Sequence, residues 1–333
     1  DVSSIYSYNE YAGTKNNPGI IEGVGTDARF ERPQLVTPYL DGSILVYDEG
    51  SYQIKKIDSK GVVTNFLGQA YNGSEQEGSA DNIRININRS WGDMFADLSN
   101  GDLYWYSSST IWKYDATEST VSKLYRHDNT IGGIAILNSE FYFSDVWRYT
   151  INKLTFDGSN YSSDVVVGES GTGNWKNDGS ISNFNESMNY YPGELVADPA
   201  KNRLYLSGYS YWDNYEYARK LIVFVDFNDS TFTTYQNLIP NSSRNGSITL
   251  DSEGKLYVTS DKQLYVIDFN PSDGTPYVNN IIDVPEFETT VESAIVGSSL
   301  FVANYDSNNI GKINLGASID IPAGQTTGTL VLS

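Results

Sequence analysis

Residues 23–69 hold one complete unit of an internal repeat, and a repeat restricts what a chain can fold into more than any other sequence property. Leu35 to Leu40 is an apolar run suited to an inner strand buried on both faces, and Asp41-Gly42 turns the chain. Ser43 to Asp48 reads as a second strand and Gln53 to Asp58 as a third. After the turn Ser59-Lys60-Gly61, Val62 to Leu67 is an outer strand. Arg29-Phe30 and Pro33 close the loop that leads into the unit. Four short antiparallel strands cannot bury both faces alone, so such units must stack on one another.

The skeleton returns five times. Copy two runs Asp93 to Asp97, turn Asn100-Gly101, Asp102 to Ser107 and Ile111 to Asp115. Copy three runs Gly133 to Leu137, turn Asn138-Ser139, Phe141 to Asp145 and Ile151 to Phe156. Copy four has Glu194 to Asp198, turn Lys201-Asn202, Arg203 to Tyr209 and Leu221 to Asp226. Copy five has Ser247 to Asp251, turn Glu253-Gly254, Lys255 to Thr259 and Gln263 to Asp268. Copy six has Ser293 to Val296, turn Gly297-Ser298, Leu300 to Asn304 and Ile310 to Leu315, and then stops. The alternating N-terminal run Ser4 to Tyr11 is the natural candidate for its missing outer strand. The expectation is an all-β fold: a six-bladed β-propeller of four-stranded antiparallel blades over residues 1–316, closed by the N-terminal strand completing the last blade.

Copy one resembles the NHL repeat at Arg29-Phe30, Pro33, Asp41-Gly42, Val46-x-Asp48 and Ile54-x-Lys56-Ile57-Asp58. Part of the pattern recurs as Asp178-Gly179 and Phe184-Asn185 ahead of the fourth inner strand, whereas copies two, three, five and six keep only strands and turns. The resemblance implies the propeller and a bacterial, extracellular kind of protein. Ala317 to Val331 resembles a strand pair of Calx-beta and related immunoglobulin-like modules. On that reading residues 317–333 are the start or remnant of a further module; on the other they pack on the propeller rim.

Charge narrows the partners. The net charge of −20 excludes a phosphate-binding face, so no nucleic acid is expected. An acidic chain rich in Asn, Ser, Gly and Tyr suits a secreted or cell-surface protein, though acidic loops also serve solubility alone. There is no Cys to report on the compartment, and no apolar run reaches the roughly 18 residues of a membrane helix. No membrane insertion is expected, and a monomer is. The chain opens at Asp1 without a signal peptide, as a processed or trimmed chain would.

Most catalytic constellations are missing, and no catalytic residue is assigned. The single histidine, His127, rules out the histidine-rich zinc centre of the amidating lyases that share the NHL propeller. A Ser-His-Asp triad would have to use His127, beside which Asp128 reads as a solvated loop residue. What remains is carboxylate chemistry. The aligned inner strands begin at Gln34, Asp93, Gly133, Glu194, Ser247 and Ser293, and such positions ring the central channel of a propeller. Asp93 and Glu194 could there share a hard cation, Ca²⁺, with further oxygens from Gln34 or Glu292. The resemblance implies as much, since propeller lactonases hold a calcium in that place; the alternative is a polar channel holding only water. The loop Asp268 to Gly274 is similar to the start of a helix-loop-helix calcium site, but Gly274 falls one position late and Asn279 replaces the closing Glu, so it reads as a β-turn.

Aromatic residues cluster where the loops should share one face: Tyr52, Trp147 with Arg148 and Tyr149, Trp212 with Asp213, Tyr215 and Tyr217, and Tyr305 with Asn308. Loops between blades add Trp91, Trp175, Tyr190 and Tyr191. Aromatic planes beside Asn, Asp and Arg suit stacking on sugars or gripping peptide side chains, and some of them must instead pack between blades. Two functions are therefore expected from different classes. The first is a non-enzymatic extracellular recognition module binding a glycan or protein ligand on this face, within a larger bacterial surface protein. The alternative is a calcium-dependent hydrolase or lyase acting at the mouth of the central channel.

Overall fold

The computed structural model describes residues 6–71, 77–83, 85–87, 93–168, 175–176, 178–181, 187–188, 191–209, 221–236, 238–239, 247–260, 262–287 and 291–316. They form a six-bladed β-propeller. The innermost strands are Pro33–Pro38, Met94–Ala96, Ile131–Leu137, Tyr191–Asp198, Ile248–Leu250 and Val291–Val296. Each lies against the next, and the last lies against the first, so the ring around the channel is closed. Within every blade the strands pair antiparallel, and the inner three follow chain order from the channel outward.

The turns explain why. Asp41 (φ 57°) and Gly42 (φ 68°) in blade one, and Asn138 (φ 51°) and Ser139 (φ 67°) in blade three, both take the left-handed conformation. Two such central residues give the turn whose twist matches a right-twisted hairpin. Asp, Asn and Gly are the residues that reach it at least cost.

Strand alternation then places the core. Leu45 and Tyr47 point into the seam with blade two, while Ile44 and Val46 point into the seam with blade six. Blade two repeats this, with Leu103 and Trp105 toward blade one and Tyr106 toward blade three. The hydrophobic core is thus six clusters, one per seam between neighbouring blades. Runs such as Ile44-Leu45-Val46-Tyr47 are apolar throughout because both of their faces are buried.

Closure follows the sequence expectation. Ser7–Ala12 pairs antiparallel with Asn309–Asn314 as the outer strand of blade six. Tyr8 crosses Gly311, where an added Cβ would stand 2.3 Å from its ring, and the Tyr8 hydroxyl accepts a hydrogen bond from Asn304 Nδ2 at 2.9 Å. Tyr11 packs edge-on against Phe301, with ring centroids 4.9 Å apart.

One feature departs from four strands per blade. Blades one, two and four carry a short fifth strand at the rim: Gly23–Val24, Gly78–Ser79 and Asp178–Ser180. Residues 317–333 lie outside the described residues, and with them the expected module fragment. No helix among the described residues is long and apolar enough to cross a membrane.

Candidate active site at the channel mouth

The innermost strands start at the end of the propeller where the second strands finish, since Pro33 pairs with Asp48, Ile131 with Asp145 and Val291 with Asn304. Three carboxylates stand at that end. Asp93 immediately precedes Met94–Ala96, Glu194 lies within a register shift of Tyr191–Asp198, and Glu292 is the second residue of Val291–Val296. They belong to blades two, four and six, and alternate around the ring with Gln34, Gly133 and Ser247 of blades one, three and five. Each keeps partial solvent access although protein surrounds it, as a group lining a channel does.

Hydrogen bonds anchor Asp93 and Glu194. Asp93 Oδ1 accepts the Met94 N–H at 2.7 Å, and the same carboxylate accepts the N–H of Ile134 from blade three. Glu194 Oε2 accepts the Ile248 N–H at 2.9 Å, and its Oε1 accepts the Ser247 hydroxyl at 3.2 Å. Ser247 Oγ also lies 3.4 Å from Ser293 O, and Ser247 stands near enough to Glu292 to favour its charged form. One hydroxyl has one proton, so Ser247 donates to only one of Glu194 and the Ser293 carbonyl at a time.

The electrostatics follow from that crowding. Burial pushes Asp93 up to about 7 and Glu292 up to about 8, with the Asp93 charge adding to the effect on Glu292. Glu194 is raised well above the usual carboxylate range, by burial first and then by the charges of Glu292 and Asp93. The Tyr106 phenol, whose backbone N–H reaches Asp93 O at 3.4 Å, is raised too, by burial and then by all three carboxylates. Among the described residues no lysine, arginine or histidine forms an ion pair with any of the three. Like charges brought together in low dielectric ask for a proton or a cation.

The donor set is all oxygen, which suits a hard cation such as Ca²⁺. The carboxylates do not form a finished cage, because among the described residues no three His, Cys, Asp or Glu are gathered closely enough to hold an ion alone. Ca²⁺ takes six to eight oxygens, so carbonyls, water or a substrate oxygen would complete its shell. Gly133 sets the spacing. A Cβ there would stand 2.6 Å from Gly193 O and 2.7 Å from Leu195 N, so only glycine lets blade three run against the chain that carries Glu194.

The remaining sequence candidates sort differently. His127 is buried, its Nε2 is 2.7 Å from Asp145 Oδ2, and its ring packs edge-on to Phe143 at 4.9 Å. Asp145, not a serine, is its ring's partner among the described residues. The loop at Asp268 is a turn, with the Gly274 N–H donating to Asn270 O at 2.8 Å and Asp273 Oδ1 accepting from Thr275. Of the aromatic face, Trp147 is exposed, while Tyr52, Arg148 and Tyr149 are half-buried. Tyr305 is buried and donates its hydroxyl to Glu49, so its ring offers no stacking surface. Trp212, Asp213, Tyr215 and Tyr217 lie outside the described residues, as do Trp91, Tyr190 and the side chains of Trp175 and Tyr191. Sequence reasoning missed the hydrogen bond from Ser247 to Glu194 and the place of Tyr106. Repeat alignment could have found Tyr106, because it is the last but one residue of the second strand, Leu103–Ser107, beside Asp93.

Fold and channel together define the class: an all-β six-bladed propeller with an acid-lined mouth. Among solved structures a streptogramin B lyase matches at 15% identity and TM-score 0.57, over 94% of this chain and 99% of its own. Virginiamycin B lyase from Staphylococcus aureus matches at 12% identity and TM-score 0.56, over 93% of this chain and 99% of its own. A gluconolactonase from Xanthomonas campestris matches at 13% identity and TM-score 0.52, over 86% of each chain. No protein-family model and no curated protein matches the sequence. At these identities the likeness is one of fold.

Proposed function

We propose that the protein is a cation-dependent hydrolase or lyase acting at the channel mouth, with Asp93 and Glu194 holding a calcium-like ion. The observation that carries this reading is the trio Asp93, Glu194 and Glu292, brought together from three blades with no basic partner among the described residues. Solved propellers of the same fold are described as lyases and as a gluconolactonase, which supports an enzyme over a scaffold. When bound, the ion would offset the carboxylate charge and act as a Lewis acid on a substrate carbonyl. Glu292, whose carboxyl is pushed up to about 8 by burial and the Asp93 charge, would accept or return a proton. In the virginiamycin B lyase form described as catalytically inactive, a histidine is replaced by alanine. The sole histidine here is buried and engaged with Asp145, so proton transfer falls to the carboxylates.

A second reading, recognition of a glycan or protein on the loop face of a secreted or cell-surface protein, is favoured by the exposed Trp147. We read the blades as NHL-like on the residues of copy one. The test of the enzyme reading is calcium calorimetry combined with a panel of lactone and ester substrates. Calcium heat and turnover in the parent, both lost in Asp93→Asn and Glu194→Gln, support it. Absence of calcium heat at millimolar concentration removes its basis.

A further inference from the structure

Blades one, three and six join their second and third strands by turns of equal length, Asp48 to Gln53, Asp145 to Thr150 and Asn304 to Asn309. Each begins on a buried polar side chain, Asp48, Asp145 or Asn304. Each closes on a left-handed residue, Tyr52 (φ 59°), Tyr149 (φ 57°) or Asn308 (φ 61°). At the tip, blades one and six have Gly50 or Asp306 followed by a buried serine, Ser51 or Ser307. Ser51 Oγ holds its turn by donating to Asp48 Oδ2 at 2.7 Å.

Blade three departs from its siblings at those two tip positions, which are Trp147 and Arg148. The work of the serine passes to the chain's only histidine. His127 Nε2 sits 2.7 Å from Asp145 Oδ2, and Asn129 Nδ2 donates to the same oxygen at 3.1 Å. Asp145 Oδ1 then accepts the N–H groups of Trp147 at 3.0 Å and Arg148 at 2.9 Å. Trp147 Nε1 donates to Thr130 Oγ1 at 3.1 Å, so the indole is pinned by its edge while 55% exposed. Arg148, half-buried, has no carboxylate partner among the described residues, although the chain carries 42 acidic groups and Arg32, Lys55, Lys113, Lys153 and Arg203 all have one. The turn therefore offers a flat apolar surface and a cation with no carboxylate partner among the described residues, on backbone held in advance, which lowers the ordering cost of binding.

We propose that the Trp147–Arg148 turn binds a sugar residue that carries a carboxylate, a uronic acid unit, with the pyranose face on the indole and the carboxylate on the guanidinium. A pyranose ring presents C–H groups that suit an aromatic face, and the guanidinium fork matches a carboxylate in bidentate geometry. The net charge of −20 favours short acidic oligosaccharides over long polyanions. This site shares no residue with the channel carboxylates; it rests on the recognition reading and not on the enzyme reading.

The experiment is calorimetry of the full chain in calcium-free buffer against trimers of galacturonate, glucuronate and mannuronate, and against their uncharged methyl esters. The parent is expected to bind at least one acid trimer, and its methyl ester at least about fivefold more weakly. Trp147→Ala should abolish binding while melting with the parent, because the indole is exposed, and Trp147→Phe should retain part of it. Arg148→Gln should weaken the acid to the level of the ester and leave the ester unchanged. Glu194→Gln should bind as the parent does. The proposal is overturned if no acid trimer binds, if Trp147→Ala binds as tightly as the parent, or if acid and ester are equivalent. Loss of binding in Glu194→Gln with retention in Trp147→Ala would move the sugar to the channel mouth and also overturn it.

Discussion

At the residue scale, Gly133 shows how tightly the site is built. Its missing side chain would collide with the Gly193 carbonyl and Leu195 amide, and neither backbone group can swing aside. Gly133→Ala should cost about 3 kcal/mol of stability by overpacking, read as a lower urea midpoint. An unchanged midpoint would mean that blades three and four do not approach so closely. His127 makes the opposite case. His127→Ala removes a hydrogen bond from the fully buried Asp145 and should cost about 1–3 kcal/mol, yet leave any channel activity intact in the folded fraction. Activity lost out of proportion to folding would make His127 catalytic after all. The carboxylates give a pH signature. Asp93 at about 7 and Glu292 at about 8 are raised above the ordinary values of 3.8 and 4.5, so the folded state binds protons that the unfolded state has released. Their contribution is fully present below about 4 and is lost as pH rises through about 8. The metal-free protein should therefore be less stable at pH 8 than at pH 5, a difference that thermal melting detects and that Glu292→Gln should reduce.

At the element scale, the N-terminal strand is the closure. Deleting residues 1–12 exposes the third strand of blade six and removes Tyr8 and Tyr11 from their packing on Gly311 and Phe301. The melting temperature should fall by roughly 10 °C; a deletion variant within about 1 °C of the parent would contradict the closure. The blades were legible in the sequence because each strand is buried on both faces and reads as an apolar run, and because Asp41-Gly42, Asn100-Gly101 and Asn138-Ser139 mark the hairpins. The fifth strands were not, since Gly23–Val24 and Gly78–Ser79 are too short to carry a pattern. Asp93 and Glu194 could be placed because aligned repeats fix where inner strands begin. Ser247 was placed by the same alignment, but its hydrogen bond to Glu194 of the neighbouring blade was not, because no local pattern encodes it. The burial of Tyr305 was equally hidden, since it depends on Glu49 from the neighbouring blade.

At the scale of the whole molecule, six seams of apolar packing hold three carboxylates around one channel, and the account rests on what neutralises them. Below neutrality protons can do it; above, the proposed reading gives the task to a cation. The most direct measurement is thermal melting at pH 8 with and without millimolar calcium, on the parent and on Glu194→Gln. Saturating calcium should raise the parent's melting temperature by roughly 5 °C, with a smaller rise at pH 5 where protons compete, and should leave Glu194→Gln unmoved. A parent that melts within about 1 °C with or without calcium, or a Glu194→Gln variant that gains as much as the parent, would contradict the claim that these carboxylates hold a cation.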